Sequence, residues 1–297
     1  MLRLDRFLTL SLFGPLAGVT HNKGLRIPIL MYHSISHDDE RGVHPYFRVA
    51  TTPEVFARHM DFLANKGYRV IGLEAAIELL RQGSGVENSG ESKPVVITFD
   101  DGFLDFYTEA FPILARHGFI ATVYLPTSFI DSGDKISTGK LFLSWSQVNE
   151  LVKEGVNFGS HTVSHKYLDL IHRTDVEREL RQSRDIIEQR TGKPVRTFSF
   201  PYGFPEHNKD FVTFLHDTLQ SCGYIGAVTT SIGTAKPAND SFFLRRIPIN
   251  MDDDAALLRA KLNGSYDWLH AAQYLVKSVK GILGIRKKRN IVQWAAL

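Results

Sequence analysis

Val95-Val96-Ile97-Thr98-Phe99-Asp100-Asp101-Gly102 is a β-favouring run that stops on two adjacent acids and a glycine. Its branched and aromatic residues predict a buried strand. The Asp-Asp-Gly end predicts a tight turn that presents both carboxylates. Neighbouring carboxylates repel, so a fold that keeps them together supplies a cation or protonates one of them. A divalent metal with one aspartate as ligand and the other as base meets that demand. An ordinary surface turn is the alternative.

The same kind of run recurs along the chain. Strands are predicted over 27–33, 68–72, 95–99, 121–125, 156–160, 197–200, 225–229 and 243–249. Helical patterns fill the gaps at 53–66, 73–81, 105–117, 145–154, 174–191 and 208–221. In the first of these, Thr52 is a good N-cap and Pro53 a good first residue. Val55, Phe56, Met60 and Leu63 give it an apolar face, and Gly67 stops it. Apolar strands alternating with helices predict an α/β fold, either a parallel barrel or a doubly wound sheet. Residues 26–250 form the expected catalytic unit, between a helical extension over 1–25 and another over 251–297.

Three further segments carry chemistry. Gly159-Ser160-His161-Thr162-Val163-Ser164-His165 follows a strand and holds two histidines four residues apart. On a helical turn that spacing brings both imidazoles to one ion. With Asp101 they make a two-His, one-carboxylate set suited to zinc hydrolysis or ferrous oxygen chemistry. Phe198-Ser199-Phe200-Pro201-Tyr202-Gly203 closes another strand on a turn whose backbone N–H can face an oxyanion. Ile29-Leu30-Met31-Tyr32-His33 ends a strand on a histidine, whose charge is easily tuned near neutral pH. All four segments sit at strand C-termini, which a barrel gathers at one face.

Thr98 to Gly102, His161 to His165 and Pro201 to Gly203 together resemble the polysaccharide deacetylase family, the NodB-type domain of carbohydrate esterase family four. The resemblance spans 27–249. It implies an irregular (β/α)7 barrel and a metal-dependent hydrolase that removes acetyl groups from N-acetylated oligosaccharides or polysaccharides. It implies Asp100 as general base, Asp101, His161 and His165 as ligands of a divalent metal, zinc being the expected ion, and the Tyr202 N–H as oxyanion donor. The usual late Leu-x-His acid motif is missing after Gly203. A circularly permuted subgroup, the poly-N-acetylglucosamine deacetylases, carries its acid at the front, which makes His33 the expected acid. Pro201, Tyr202 and Arg246 are expected to face the substrate. Arg246 otherwise orients the base from a later strand or joins a solvated charge pair. An O-acetyl esterase on an acetylated glycan, or a noncatalytic carbohydrate-binding relative, are the alternatives.

Composition narrows the partners. A net charge of +3 gives no case for nucleic acid. Cys222 is the sole cysteine, so no intrachain disulfide forms. Arg3 and Arg6 precede an apolar stretch from Phe7 to Val19 that is short for a bilayer and has no clean cleavage site. A first helix packed on the domain, or lying on a membrane surface, is expected there. Basic residues 286–289 add a second point of peripheral membrane contact. The expected location is cytoplasmic or membrane-associated, with export to the periplasm left open. Phe142 and Trp145 stack on sugar rings or pack in the core.

Overall fold

A computed structural model describes residues 3–15, 24–83, 93–132 and 139–282. In chain order the strands are β1 (Ile29–Tyr32), β2 (Ser34–Ile35), β3 (Ala50–Thr51), β4 (Tyr68–Val70), β5 (Lys93–Phe99), β6 (Thr122–Leu125), β7 (Asn157–Ser160), β8 (Thr197–Ser199), β9 (Gly226–Ile232) and β10 (Leu244–Pro248). The helices are α1 (Leu4–Leu8), α2 (Pro53–Asn65), α3 (Leu73–Gln82), α4 (Phe111–Arg116), α5 (Trp145–Lys153), α6 (Arg173–Thr191), α7 (Lys209–Ser221), α8 (Ala255–Leu262) and α9 (Leu269–Ile282). A π-helical turn over Phe106–Ala110 leads into α4.

The strands run β1-β10-β9-β8-β7-β6-β5, and β5 pairs back onto β1. Every pairing in this ring is parallel, so seven strands close a barrel. The fold is the expected irregular (β/α)7 barrel. The strand predicted at 68–72 is not a stave. It adds β4 to the outside of β5, pairing Tyr68 with Lys93 and Val70 with Val95. The short parallel pair β2–β3 was not foreseen, because two-residue strands carry no periodicity.

β5 explains how the barrel aims its acids. Val95, Ile97 and Phe99 pack outward with Phe56, Met60 and Leu63 of α2. Val96 packs with Ile29, Tyr124, Val228 and Leu244 on the other face. Each such buried side chain contributes roughly 1.5–3 kcal/mol. Alternation then turns Thr98 and Asp100 to the inner face. Helix α3 closes the N-terminal end, where the missing side chain of Gly226 leaves room for Ile77: a Cβ there would lie 2.5 Å from Ile77 Cδ1.

The two expected extensions meet each other. Asp5 accepts from Tyr266, Arg6 pairs with Asp254 at 2.8 Å, and Phe13 stacks on Trp268. Residues 3–15 are thus a packed helix, although Leu4, Phe7 and Leu12 stay exposed. Among the described residues no helix is long and apolar enough to cross a membrane. The basic cluster at 286–289, most of the expected loop at 82–93 and the apolar residues 16–19 lie outside the described residues. Phe142 and Trp145 are buried in the core, so the packing reading holds for both.

Candidate active site

Asp100 is fixed first by its backbone, whose N–H donates to Tyr32 O at 3.0 Å. Its side chain meets Arg246 from β10 in a bidentate pair, Nη1 to Oδ1 at 2.7 Å and Nη2 to Oδ2 at 2.7 Å. Ser199 Oγ donates to Asp100 Oδ1 at 3.2 Å. Arg246 is fully buried. Its remaining donors go to Thr229 O, Thr98 Oγ1 and Ser199 Oγ. A guanidinium has five N–H donors, and all are taken within the protein. Arg246 therefore lies beneath Asp100 rather than on a substrate wall, and its pair is buried rather than solvated. Burial pushes the Asp100 carboxyl up, but the charge and hydrogen bonds of Arg246, together with the nearby histidines, hold the group below its ordinary value.

The next residue leaves the strand. Asp101 has φ 72° and Gly102 φ 63°, so the chain turns left-handed twice in succession. A Cβ at Gly102 would lie 2.7 Å from Leu125 Cδ2, so both the space and the left-handed backbone favour glycine there. The turn brings Asp101 Oδ1 to 3.2 Å from His165 Nε2 and 3.5 Å from His161 Nε2. The two Nε2 atoms are 3.1 Å apart.

The histidine segment is not a helical turn as its spacing predicts. It is a loop in which Thr162 (φ 69°) and His165 (φ 50°) both adopt left-handed backbone. The i, i+4 rings meet because the loop folds back. Helix α6 holds that fold: buried Glu179 accepts from Val163 N and Ser164 N, each at 2.8 Å, and from Ser164 Oγ at 2.5 Å. The sequence reading missed Glu179, since an acid inside a charged helix reads as solvated.

The donor set fits a metal. With its Nδ1 donating to Ser199 O at 2.8 Å, His161 presents the Nε2 lone pair inward. That lone pair, the second imidazole and the Asp101 oxygen all lie within 4.8 Å of one another. Three acceptors converging on one point favour a cation between them. Asp101 is lowered well below the usual carboxylate range: burial opposes its charge, but the two histidines beside it, with the other groups nearby, hold it down.

His33 and Tyr202 complete the rim. His33 follows Tyr32, whose ring packs outward on Phe56 and Phe99, so alternation turns His33 toward the barrel mouth. It is half-buried, and its charge acts on both Asp100 and Asp101. Tyr202 has φ 60°, and its ring stacks on Tyr167 at 3.7 Å. Among the described residues the Tyr202 N–H has no acceptor. Pro201 before it is buried.

A family model described as polysaccharide deacetylase matches residues 87–224, which include both aspartates, both histidines and the Pro-Tyr-Gly turn. That segment is a polysaccharide deacetylase domain. Among curated relatives, YxkH of Bacillus subtilis (strain 168) is 27% identical over 79% of this chain and 75% of its own. The poly-beta-1,6-N-acetyl-D-glucosamine N-deacetylase of Escherichia coli (strain K12) is 31% identical over 46% of this chain, but the match spans only 21% of that protein. Among solved structures, the Streptococcus pyogenes deacetylase PplD in complex with acetate superposes with a TM-score of 0.69 at 26% identity, covering 80% of this chain and 99% of that one. His33 and Arg246 lie outside the matched segment. The closed barrel, through β1 and β10, brings them to Asp100.

Proposed function

We propose that this polysaccharide deacetylase is a metal-dependent hydrolase that removes acetyl groups from N-acetylated sugars of an oligosaccharide or polysaccharide. One observation carries the reading: a carboxylate kept ionised by a buried arginine stands next to three converging metal donors. Asp101, His161 and His165 would hold a divalent metal, zinc being the expected ion, which would supply Lewis acidity and lower the pKa of a water. Asp100 takes the proton of the attacking water. The Tyr202 N–H donates to the oxygen on which charge develops. His33 gives a proton to the departing amine. Acetate and a free amino sugar leave the site.

The E. coli relative, a poly-beta-1,6-N-acetyl-D-glucosamine N-deacetylase, supports an N-acetylated sugar polymer as the substrate class. Acetate release from matched N-acetylated and O-acetylated oligosaccharides, with a chelator and metal add-back, tests the reading. Chelator-sensitive release from the N-acetylated set supports it. Release from the O-acetylated set alone makes the protein an esterase, and binding without release makes it a carbohydrate-binding relative. Contact with a membrane surface belongs to the same proposal, since Phe7 on α1 and Leu275 on α9 present exposed apolar side chains. Co-sedimentation with anionic vesicles tests that part.

A further inference from the structure

The Tyr202 turn is backbone that does not hold itself. A tyrosine at φ 60° occupies a region unfavourable to L side chains and persists only where its surroundings impose it. One hydroxyl spans the turn: Thr230 Oγ1 donates to Tyr202 O at 2.8 Å and accepts from Phe204 N–H at 3.1 Å. Thr230 lies in the stretch of β9 where the register against β10 slips, with Leu244 opposite Val228 but Arg246 opposite Ile232. The strand there lacks regular pairing and needs another partner.

Helix α9 supplies it. Gln273 Nε2 donates to Thr230 O at 3.1 Å, and Gln273 Oε1 accepts from Ile232 N–H at 3.1 Å. That amide makes the two bonds a neighbouring strand would make. On the same helix face, Lys277 Nζ donates to Phe204 O at 3.1 Å, and His270 Nε2 lies 2.8 Å from Glu206 Oε2. Spacing of three and four residues puts 270, 273 and 277 on one side of a helix. All three reach β9 or the segment after the turn, and none lies within the matched residues 87–224.

We propose that α9 is part of the catalytic scaffold, with Gln273 a positioning residue that, through Thr230, aims the Tyr202 N–H at the developing oxyanion. The inference rests on the reading of Tyr202 as oxyanion donor. The sequence beyond residue 250 then completes the active site as well as the core.

The full-length chain as wild type, Gln273→Ala, Thr230→Val and Thr230→Ser tests it. Two readouts are needed: amide hydrogen exchange over residues 201–206, and kcat and KM for acetate release with metal content measured. Gln273→Ala and Thr230→Val should speed exchange in that segment and lower kcat about tenfold, part of the 10²–10³ that loss of one oxyanion donor costs. KM and metal content should stay near wild type, and Thr230→Ser should restore both readouts. Wild-type exchange and kcat in Gln273→Ala would overturn the proposal, even if Thr230→Val fails to fold. An inactive wild type would instead defeat the deacetylase reading, and exchange would still judge the brace.

Discussion

Arg246 and Asp100 face each other through two 2.7 Å hydrogen bonds in a place solvent does not reach. The pair joins β10 to β5, the first late in the chain and the second in its first third. Removing the cation would leave a buried carboxylate uncompensated, which costs about 3–5 kcal/mol unless the group takes up a proton. Arg246→Leu should therefore lower stability and raise the Asp100 pKa. In the pH–rate profile the acid limb reports the base and should move to higher pH. Arg246→Lys keeps the charge but loses the planar fork, so rate should fall at least about tenfold with smaller loss of stability. Chemical denaturation and pH–rate profiles check both variants.

Glu179 should act on the metal from a distance. Its carboxylate is the acceptor for two backbone N–H groups and one hydroxyl of the histidine loop. Glu179→Ala leaves those donors unpaired and frees the left-handed loop. Metal affinity should drop by about 10–100-fold, the usual effect of losing an outer partner. Titration with a competing chelator measures it.

Loss of His33 should damage turnover and spare the metal. His33→Ala should lower kcat by about 10²-fold or more if it protonates the leaving amine. Metal content should match wild type, because His33 is not among the three converging donors. An unchanged rate would move the acid role to another residue.

Acid should weaken the join between α9 and the barrel. Burial raises the Glu206 carboxyl, but His270, Ser231 and the Lys277 charge together pull the pKa down to about 2. A carboxyl depressed on folding adds stability above its unfolded pKa and loses it as pH falls through the folded one. The window here runs from about 4.5 down to about 2. The contribution at neutral pH is on the order of 3 kcal/mol at most. Glu206→Gln should flatten the acid side of the stability–pH curve over that window, as read by denaturant midpoints.

Much of this was legible in the residues. β-favouring runs ending in Asp100-Asp101, His33 and Pro201-Tyr202 marked the strand ends that the barrel gathers, because period-two burial is written directly in side-chain type. The convergence of Asp101, His161 and His165 was foreseen from the histidine pair and the Asp-Asp-Gly turn. What stayed hidden depends on three-dimensional closure. Arg246 read as a substrate-facing residue, as one that orients the base, or as part of a solvated charge pair, and only the return of β10 beside β1 shows it buried under Asp100. The His161–His165 spacing suggested a helix, yet left-handed backbone at Thr162 and His165 makes the contact, and no local propensity foretells that. Glu179 and Gln273 act through long-range partners and leave no periodic trace.

Asp100 is proposed to act as a base beside a metal that it does not bind. Asp100→Asn is nearly isosteric and leaves Asp101, His161 and His165 in place. Metal stoichiometry and acetate release, measured on one preparation, test it most directly. The expected outcome is wild-type metal content with acetate release lower by about 10²–10⁴-fold. Near-normal release with metal bound, or loss of the metal itself, would contradict it.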